Sequence, residues 1–363
     1  MLPKEHFHSL DALRFFAFLK VFLLHLPINA FAWFSFVKAG GGLGVEFFFV
    51  LSGFLISYLC IKEKEAKTSF SLKNFFMRRV LRIWPLYYLM VAFAFATPYI
   101  LNYLNLGYSN EGYEPSAFHS LLFLENYKMM QEGMMPNVSP LGVMWSLCIE
   151  EHFYIIWGIV FILIPAKKFG LFTLIGLAIS FISKIYFTSM GWDHGEILTH
   201  LDLFCYGGLL AYLYFYKNAL YEKYIGSWPI ILKRIGVGLI LLFVLINPFI
   251  LNEGIGQLFH TTLYGILFFV LIALFLSKEL IFKIGDKSPL NYLGKISYGL
   301  YVYHIIVINL LIQLFRGWEY NLDSPLMAFS FLVLALILSV AISGLSYRLF
   351  EKPFLKLKKY FRD

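Results

Sequence analysis

The sequence predicts an all-α, polytopic membrane protein of about ten helices, with both termini on the cytoplasmic side. Three observations predict this fold class. Apolar residues make up 60% of the chain and charged residues only 14%, whereas a soluble domain carries about 25% charged residues. Apolar stretches of about 20 residues, long enough to cross a bilayer core of about 30 Å, recur along the whole chain. Lys and Arg are concentrated in every second connecting segment.

The ten predicted spans are α-helices, because strands of a membrane barrel would show alternating runs of about ten residues. The first stretch is not a cleavable signal peptide, since Asp11, Arg14 and Lys20 interrupt its apolar core. The spans are expected at 10–29, 40–61, 84–104, 141–164, 169–188, 199–216, 235–251, 258–276, 293–315 and 325–347.

The distribution of basic residues predicts the orientation of these spans. With the N-terminus inside, 24 of the 30 Lys and Arg residues lie in cytoplasmic segments, and three lie in outer loops. Because cytoplasmic loops of membrane proteins are enriched in Lys and Arg, this bias predicts a cytoplasmic N-terminus and C-terminus. The net charge of +8 then reflects this bias and attraction to anionic lipid, so it does not indicate nucleic-acid binding.

The whole chain, 1–363, is predicted to form a single transmembrane domain. Its longest connecting segments are 62–83 inside and 105–140 outside, where an apolar piece at 117–127 is either a packed loop or a segment dipping into the membrane surface. The basic amphipathic stub after 347 is typical of an interfacial anchor. All three cysteines fall within spans without metal-ligand spacing, so neither a disulfide nor a metal site is expected.

Ionisable residues within spans identify the candidate site, because burying a charge in a bilayer is costly and usually functional or paired. Arg14 and His25 are 11 residues apart, which places them on one face of the first helix, about 16 Å apart. Glu46 opens the second span at a similar depth to His25. A carboxylate beside an imidazole suits a general base. The alternatives are snorkelling of Arg14 and interfacial positions for His25 and Glu46.

Arg79 and Arg82 lie at the cytoplasmic start of the third span, spaced i, i+3, so both guanidinium groups share one helical face. Such a pair suits a phosphate group, which arginine binds through two parallel hydrogen bonds. The alternative is that both arginines bind lipid phosphates.

A polar stripe crosses the fourth span, where Ser146, Glu150 and Tyr154 follow one another at intervals of four residues. Glu150, Glu151 and His152 are adjacent ionisable residues at this depth, so we expect at least one of them to face a hydrated cavity. His304 lies mid-span, and His200 and Asp202 begin the sixth span. Two roles are open for each of these three residues: lining the acceptor site, or forming a structural hydrogen bond between helices.

These residues belong to a series of motifs that resembles membrane acyltransferase family 3, the multi-span O-acyltransferases of bacterial surface polysaccharides. The resemblance covers residues 8 to about 354. Its motifs, in chain order, are R-x10-H at Arg14–His25, the acidic motif at 46–54, R-x-x-R at 79–82, S-L-x-x-E-x-x-F-Y at 146–154, S-Y-x-x-Y-x-x-H at 297–304 and E-K-P at 351–353. Each motif is weak alone, whereas six in order are specific.

The resemblance implies an acyl-CoA donor, most simply acetyl-CoA, as a substrate rather than a permanently bound cofactor. It also implies a saccharide acceptor, often lipid-linked, at the outer face of a bacterial cytoplasmic membrane. His25 would be the catalytic base assisted by Glu46, and Arg14, Arg79 and Arg82 would bind the donor. Direct attack by the acceptor hydroxyl and an acyl-histidine intermediate are both open.

Two departures from the family pattern bear on the acceptor. His200 stands where many members have an arginine, two residues before Asp202. Many members also carry a C-terminal hydrolase-like domain, and none follows the last helix here, so outer loops or a separate partner are expected to handle the acceptor. The alternative function is a transporter or flippase for a lipid-linked sugar, because such a protein would also have buried charged residues distributed across the depth of the membrane. A sensor or scaffold is the third hypothesis.

Overall fold

The computed structural model describes the chain over 7–28, 31–67, 69–105, 111–191, 195–246, 255–277, 284–285, 288–317 and 322–361. Within these ranges the protein is a helical bundle. Its helices in chain order are α1 (His8–His25), α2 (Ala32–Lys38), α3 (Leu43–Lys67), α4 (Leu72–Tyr103), α5 (Ala117–Leu121), α6 (Glu125–Glu132), α7 (Trp145–Leu163), α8 (Phe169–Ser189), α9 (Ile197–Tyr216), α10 (Asn218–Tyr221), α11 (Ile230–Ile246), α12 (Ile255–Phe275), α13 (Pro289–Lys295), α14 (Ser297–Gly317), α15 (Pro325–Ser346) and α16 (Lys352–Leu357).

The all-α prediction is confirmed, and each predicted span coincides with a helix of the bundle. Residues 29, 247–251 of the seventh predicted span, and much of the basic segment 278–295 lie outside the described residues. Seven of the described helices are long and apolar enough to cross a membrane, and the bent pair at 218–246 makes up to eight. The protein is therefore a multi-pass membrane protein, while the count of ten spans and the orientation stay predictions.

Two helices fall outside that group for identifiable reasons. Helix α1 carries three charged side chains within 18 residues, at Asp11, Arg14 and Lys20. Helix α12 is apolar, but the structure describes its side chains only from Phe259 onward. The described part is therefore too short to count as a membrane span. One predicted span is also interrupted, because helices α13 and α14 divide the ninth span. The helical segment 218–226, which lies between the sixth and seventh predicted spans, meets α11 at an angle of 82°.

Glycine residues allow the central helices to pack with their backbones in contact. A Cβ at Gly207 of α9 would lie 2.0 Å from the Val50 carbonyl oxygen of α3, and a Cβ at Gly53 would lie 2.3 Å from the Phe204 carbonyl oxygen. The α3–α9 pair is therefore closer than side chains permit. At Gly44 of α3 an added Cβ would likewise lie 2.3 Å from the Ala17 carbonyl oxygen of α1, whereas at Gly42 no other atom would lie within 4 Å.

The segment at 117–127 packs against the middle of α4, at Tyr87 and Tyr88. The Phe123 ring stacks on Tyr87 with 4.0 Å between ring centroids, and the Tyr87 hydroxyl donates to the Ser120 carbonyl oxygen (2.7 Å). Glu125 is fully buried and accepts hydrogen bonds from the Tyr113 and Ser120 hydroxyls. Burial, together with the hydrogen bond to Glu125, raises the pKa of the Tyr113 phenol well above its usual range. These contacts fix the loop against the bundle.

Candidate active site

An elongated cavity of about 280 Å³ runs between α1, α3, α4, α7 and α14. It follows α3 from Val45 to Leu59, and 14 residues of α-helix rise about 21 Å. The cavity therefore extends over most of a hydrocarbon core of about 30 Å. Five residues predicted from the sequence line this one cavity: Arg14, Arg79, Arg82, Ser146 and Glu150.

The basic residues of the cavity lie at the end formed by α1, the start of α4 and the C-terminal segment. Arg79 and Arg82 form no salt bridge with any carboxylate that the structure describes, and the Arg79 guanidinium packs on the Tyr154 ring, 5.8 Å from its centroid. Arg78 differs, because it pairs with Glu63 (2.7 Å). Lys358 joins the two unpaired arginines at the cavity wall. The i, i+3 pair therefore presents positive charge to the cavity.

Arg14 lines the cavity from α1 and forms a salt bridge with Asp11 (3.1 Å). It also lines a smaller, polar cavity of about 160 Å³, which contains Asp11, Lys295 and Glu351. Arg82 lines both cavities as well. The two cavities therefore share the same guanidinium groups, which lie between them.

The polar stripe predicted on α7 faces the cavity. Ser146, Glu150 and Tyr154 all line it, and Glu150 Oε1 accepts hydrogen bonds from Ser52 Oγ (2.7 Å) and from the Tyr154 hydroxyl (2.6 Å). Glu151 points elsewhere, with its Oε2 accepting from the Trp84 indole N–H (3.2 Å). Of the three adjacent ionisable residues at 150–152, Glu150 is therefore the one that lines this cavity.

Tyr301 connects the cavity to a pair of histidines. Its hydroxyl lines the cavity and lies 2.6 Å from Ser146 Oγ, while its carbonyl oxygen lies 2.7 Å from His304 Nδ1. His304 Nε2 in turn lies 3.3 Å from His25 Nδ1. His25 Nδ1 is also 2.9 Å from the Val21 carbonyl oxygen, and its Nε2 has no partner among the described side chains. His25 therefore keeps one ring nitrogen unengaged.

Glu46 does not contact His25 as the sequence suggested. Its nearest ionisable partner is His260, with 4.0 Å between Glu46 Oε1 and His260 Nδ1. Helices α1 and α3 pack directly on each other, but Glu46 faces α12, where His260 lies, whereas His25 faces α14 and His304. Depth along a helix follows from residue count, but direction around the bundle does not. Any assistance of His25 by Glu46 stays a prediction.

Asp202 forms a buried ion pair with Lys184 instead of facing the long cavity. Thr262 completes this cluster, because its hydroxyl donates to Asp202 Oδ2 (3.0 Å) and lies 3.3 Å from Lys184 Nζ. His200, two residues earlier on α9, approaches the Glu196 carbonyl oxygen through Nδ1 (3.1 Å) and packs against Trp145. It lines a separate cavity of about 260 Å³. An acceptor role for His200 or Asp202 stays a prediction.

Sequence reasoning did not assign a role to Ser52, Tyr301 or Lys358, although all three line the cavity. Ser52 and Tyr301 lie within motifs quoted for the family, so the motif positions were a usable signal. Lys358 lies in the basic C-terminal segment, where spacing alone gave no reason to separate it from its neighbours.

Comparison with known proteins identifies the family. A family model described as an acyltransferase domain matches residues 7–344. The chain belongs to acyltransferase family 3. It is similar to the peptidoglycan O-acetyltransferase OatA of Listeria monocytogenes, with 28% identity over 99% of this chain and 58% of that protein. It is also 26% identical to O-acetyltransferase OatA of Staphylococcus aureus, over 98% of this chain and 58% of that protein.

A putative O-acetyltransferase of Staphylococcus aureus strain COL is 29% identical over 96% of this chain and 57% of its own length. The chain thus spans less than three fifths of the length of these curated relatives. No solved structure matches the chain significantly. Family membership is consistent with the order of motifs, because the match extends from α1 through α15.

Proposed function

We propose that this protein is a membrane O-acetyltransferase that moves an acetyl group from cytoplasmic acetyl-CoA to a saccharide hydroxyl at the outer face of a bacterial cytoplasmic membrane. Family membership supports acyl transfer, relatives named O-acetyltransferases support an acetyl group, and one named a peptidoglycan O-acetyltransferase supports a cell-wall saccharide. A lipid-linked precursor of such a saccharide would already lie at the membrane, where the bundle can reach it.

The donor end is assigned to the basic end of the long cavity. Arg79 and Arg82 form no salt bridge with a described carboxylate, so their guanidinium groups can bind coenzyme A phosphates. Guanidinium groups bind phosphate oxygens through two parallel hydrogen bonds. The rest of the cavity is narrow, apolar on its α3 side and about 21 Å long, which suits an extended thioester arm.

One observation carries the proposal: Tyr301 joins the phosphate-binding cavity to the His25–His304 pair. A thioester that enters at the arginines would reach Ser146 and Tyr301. The Tyr301 backbone in turn contacts His304. A transporter has no need for an imidazole base at the end of this series of contacts. The series therefore favours acyl transfer over a transporter.

The chemistry assigned to His25 is general base catalysis. Its Nε2 takes the proton of the acceptor hydroxyl as that oxygen attacks the thioester carbonyl carbon. The tetrahedral intermediate then collapses, the carbon–sulfur bond breaks, and the imidazolium returns its proton to the departing coenzyme A thiolate. The products are an O-acetyl ester and free coenzyme A. In the alternative route His25 Nε2 attacks the thioester first, and the acetyl-imidazole then acylates the saccharide.

The test is turnover of radiolabelled acetyl-CoA by purified protein in nanodiscs, with a peptidoglycan disaccharide as acceptor. Arg79→Gln and Arg82→Gln are each expected to raise KM for acetyl-CoA about 10- to 100-fold, because each removes a charge-assisted contact of about 1.5–3 kcal/mol. Arg348→Gln is the control, since Arg348 is exposed and does not line the long cavity. Absence of acetyl transfer from the wild-type protein would refute the enzyme proposal and favour the transporter.

A further inference from the structure

His304 is the only described side chain that contacts the Nδ1 edge of His25, and it is completely buried. Its ring lies against Phe18 (5.8 Å between centroids) and Phe22 (6.5 Å). No described carboxylate lies within salt-bridge distance of His304. Because a charged imidazole without a counter-ion is strongly disfavoured in such surroundings, His304 is neutral and carries a single ring proton.

The position of that proton follows from the backbone. His304 Nδ1 is 2.7 Å from the Tyr301 carbonyl oxygen, which can only accept a hydrogen bond. Nδ1 therefore carries the hydrogen, and Nε2 carries the lone pair. Nε2 is the atom that faces His25, at 3.3 Å from His25 Nδ1.

The same reasoning fixes the proton on His25. Its Nδ1 meets two acceptors, the Val21 carbonyl oxygen (2.9 Å) and the lone pair of His304 Nε2 (3.3 Å). In the Nδ1–H tautomer the single hydrogen is shared between both acceptors, whereas the Nε2–H tautomer would place three lone pairs together. Lys38, the charged side chain that acts on His25, only donates and cannot replace them.

We infer that His304 is a positioning residue, which holds His25 in the Nδ1–H tautomer so that the lone pair of His25 Nε2 points to the acceptor hydroxyl. This inference rests on the proposed function, in which His25 is the base. His304 thus occupies the place in which the sequence suggested Glu46. When His25 takes up a proton, the Nδ1–H bond to His304 remains, and the neutral partner accepts without changing its own protonation.

Comparison of His304→Leu with His304→Gln tests this role. An amide oxygen at position 304 can accept from His25 Nδ1–H, whereas leucine cannot. We expect His304→Leu to lower kcat roughly 10- to 100-fold, the usual effect of removing a group that orients a functional imidazole, with KM for acetyl-CoA unchanged. We expect His304→Gln to recover most of the lost kcat. Tyr303→Phe is the matched control on α14, since its hydroxyl contacts Ser346 rather than His25.

Nitrogen-15 NMR of histidine-labelled protein reads the tautomer directly, with the His25 signal assigned by its loss in His25→Gln. The expected wild-type spectrum has a protonated Nδ1 and an unprotonated Nε2, and His304→Leu should add a second signal with the proton on Nε2. An Nε2–H tautomer in the wild type overturns the inference, as does an equal loss of kcat in both His304 variants. A protein with the expected tautomer but no acetyl transfer contradicts the proposed function alone.

Discussion

Replacing Lys184 with methionine is expected to destabilise the bundle strongly. The Lys184 and Asp202 side chains are 1% and 3% exposed, so their ion pair is almost fully removed from solvent and lipid headgroups. In Lys184→Met, Asp202 keeps hydrogen bonds from Thr262 and from the Leu203 backbone N–H but loses its only described cation. An uncompensated buried charge of this kind costs about 3–5 kcal/mol.

That free energy corresponds to a decrease of roughly 100- to 5,000-fold in the ratio of folded to unfolded protein. The assay is equilibrium unfolding in mixed dodecylmaltoside and SDS micelles, followed by tryptophan fluorescence. The double variant Lys184→Met with Asp202→Leu should be markedly more stable than the single variant, because well-packed apolar residues can replace a buried ion pair without net loss.

Lys168→Met is the control for removing a lysine, because Lys168 is exposed and a surface substitution changes stability by about 0.5 kcal/mol or less. A loss below about 1 kcal/mol in Lys184→Met would refute the reasoning. So would a double variant no more stable than the single one, since the unpaired carboxylate would then not be the cause.

Three further outcomes are expected. Gly207→Ala should greatly reduce the yield of folded protein, because the added Cβ would lie 2.0 Å from a carbonyl oxygen of α3. Gly238→Ala is the control, since open space surrounds an added Cβ there. Equal yields of the two variants on size-exclusion chromatography would contradict the close packing of α3 on α9. Glu46→Gln should keep a kcat at least tenfold above that of His25→Gln in the acetyl-CoA assay, because Glu46 does not contact His25. Lys168→Cys should react with an impermeant maleimide only from the cytoplasmic side, while the buried native cysteines stay unlabelled.

Much of the bundle could be predicted from the sequence, because apolar length and helical period are local properties. Ser146, Glu150 and Tyr154 share a face in any α-helix, and their common cavity confirms this. The pairing of Arg79 with Arg82 on one face followed from the same geometry. These residues needed no knowledge of which helices are neighbours.

Contacts between distant helices could not be predicted in the same way. His25 and His304 are 279 residues apart, and no local pattern shows that α1 and α14 meet there. Depth placed Glu46 level with His25, yet α3 turns Glu46 towards His260. The order of family motifs identified both histidines as functional candidates but left their contact to be found in the folded bundle.

The central claim, acetyl transfer to a saccharide with His25 as the base, is tested most directly by mass spectrometry of cell-wall saccharides. The samples would come from cells that carry the wild-type chain, the His25→Ala variant at equal membrane abundance, or neither. We expect an acetyl mass increment on saccharide hydroxyls only with the wild-type chain. An increment that persists with His25→Ala would contradict the assignment of the base, and the absence of any increment with the wild type would contradict the proposed activity.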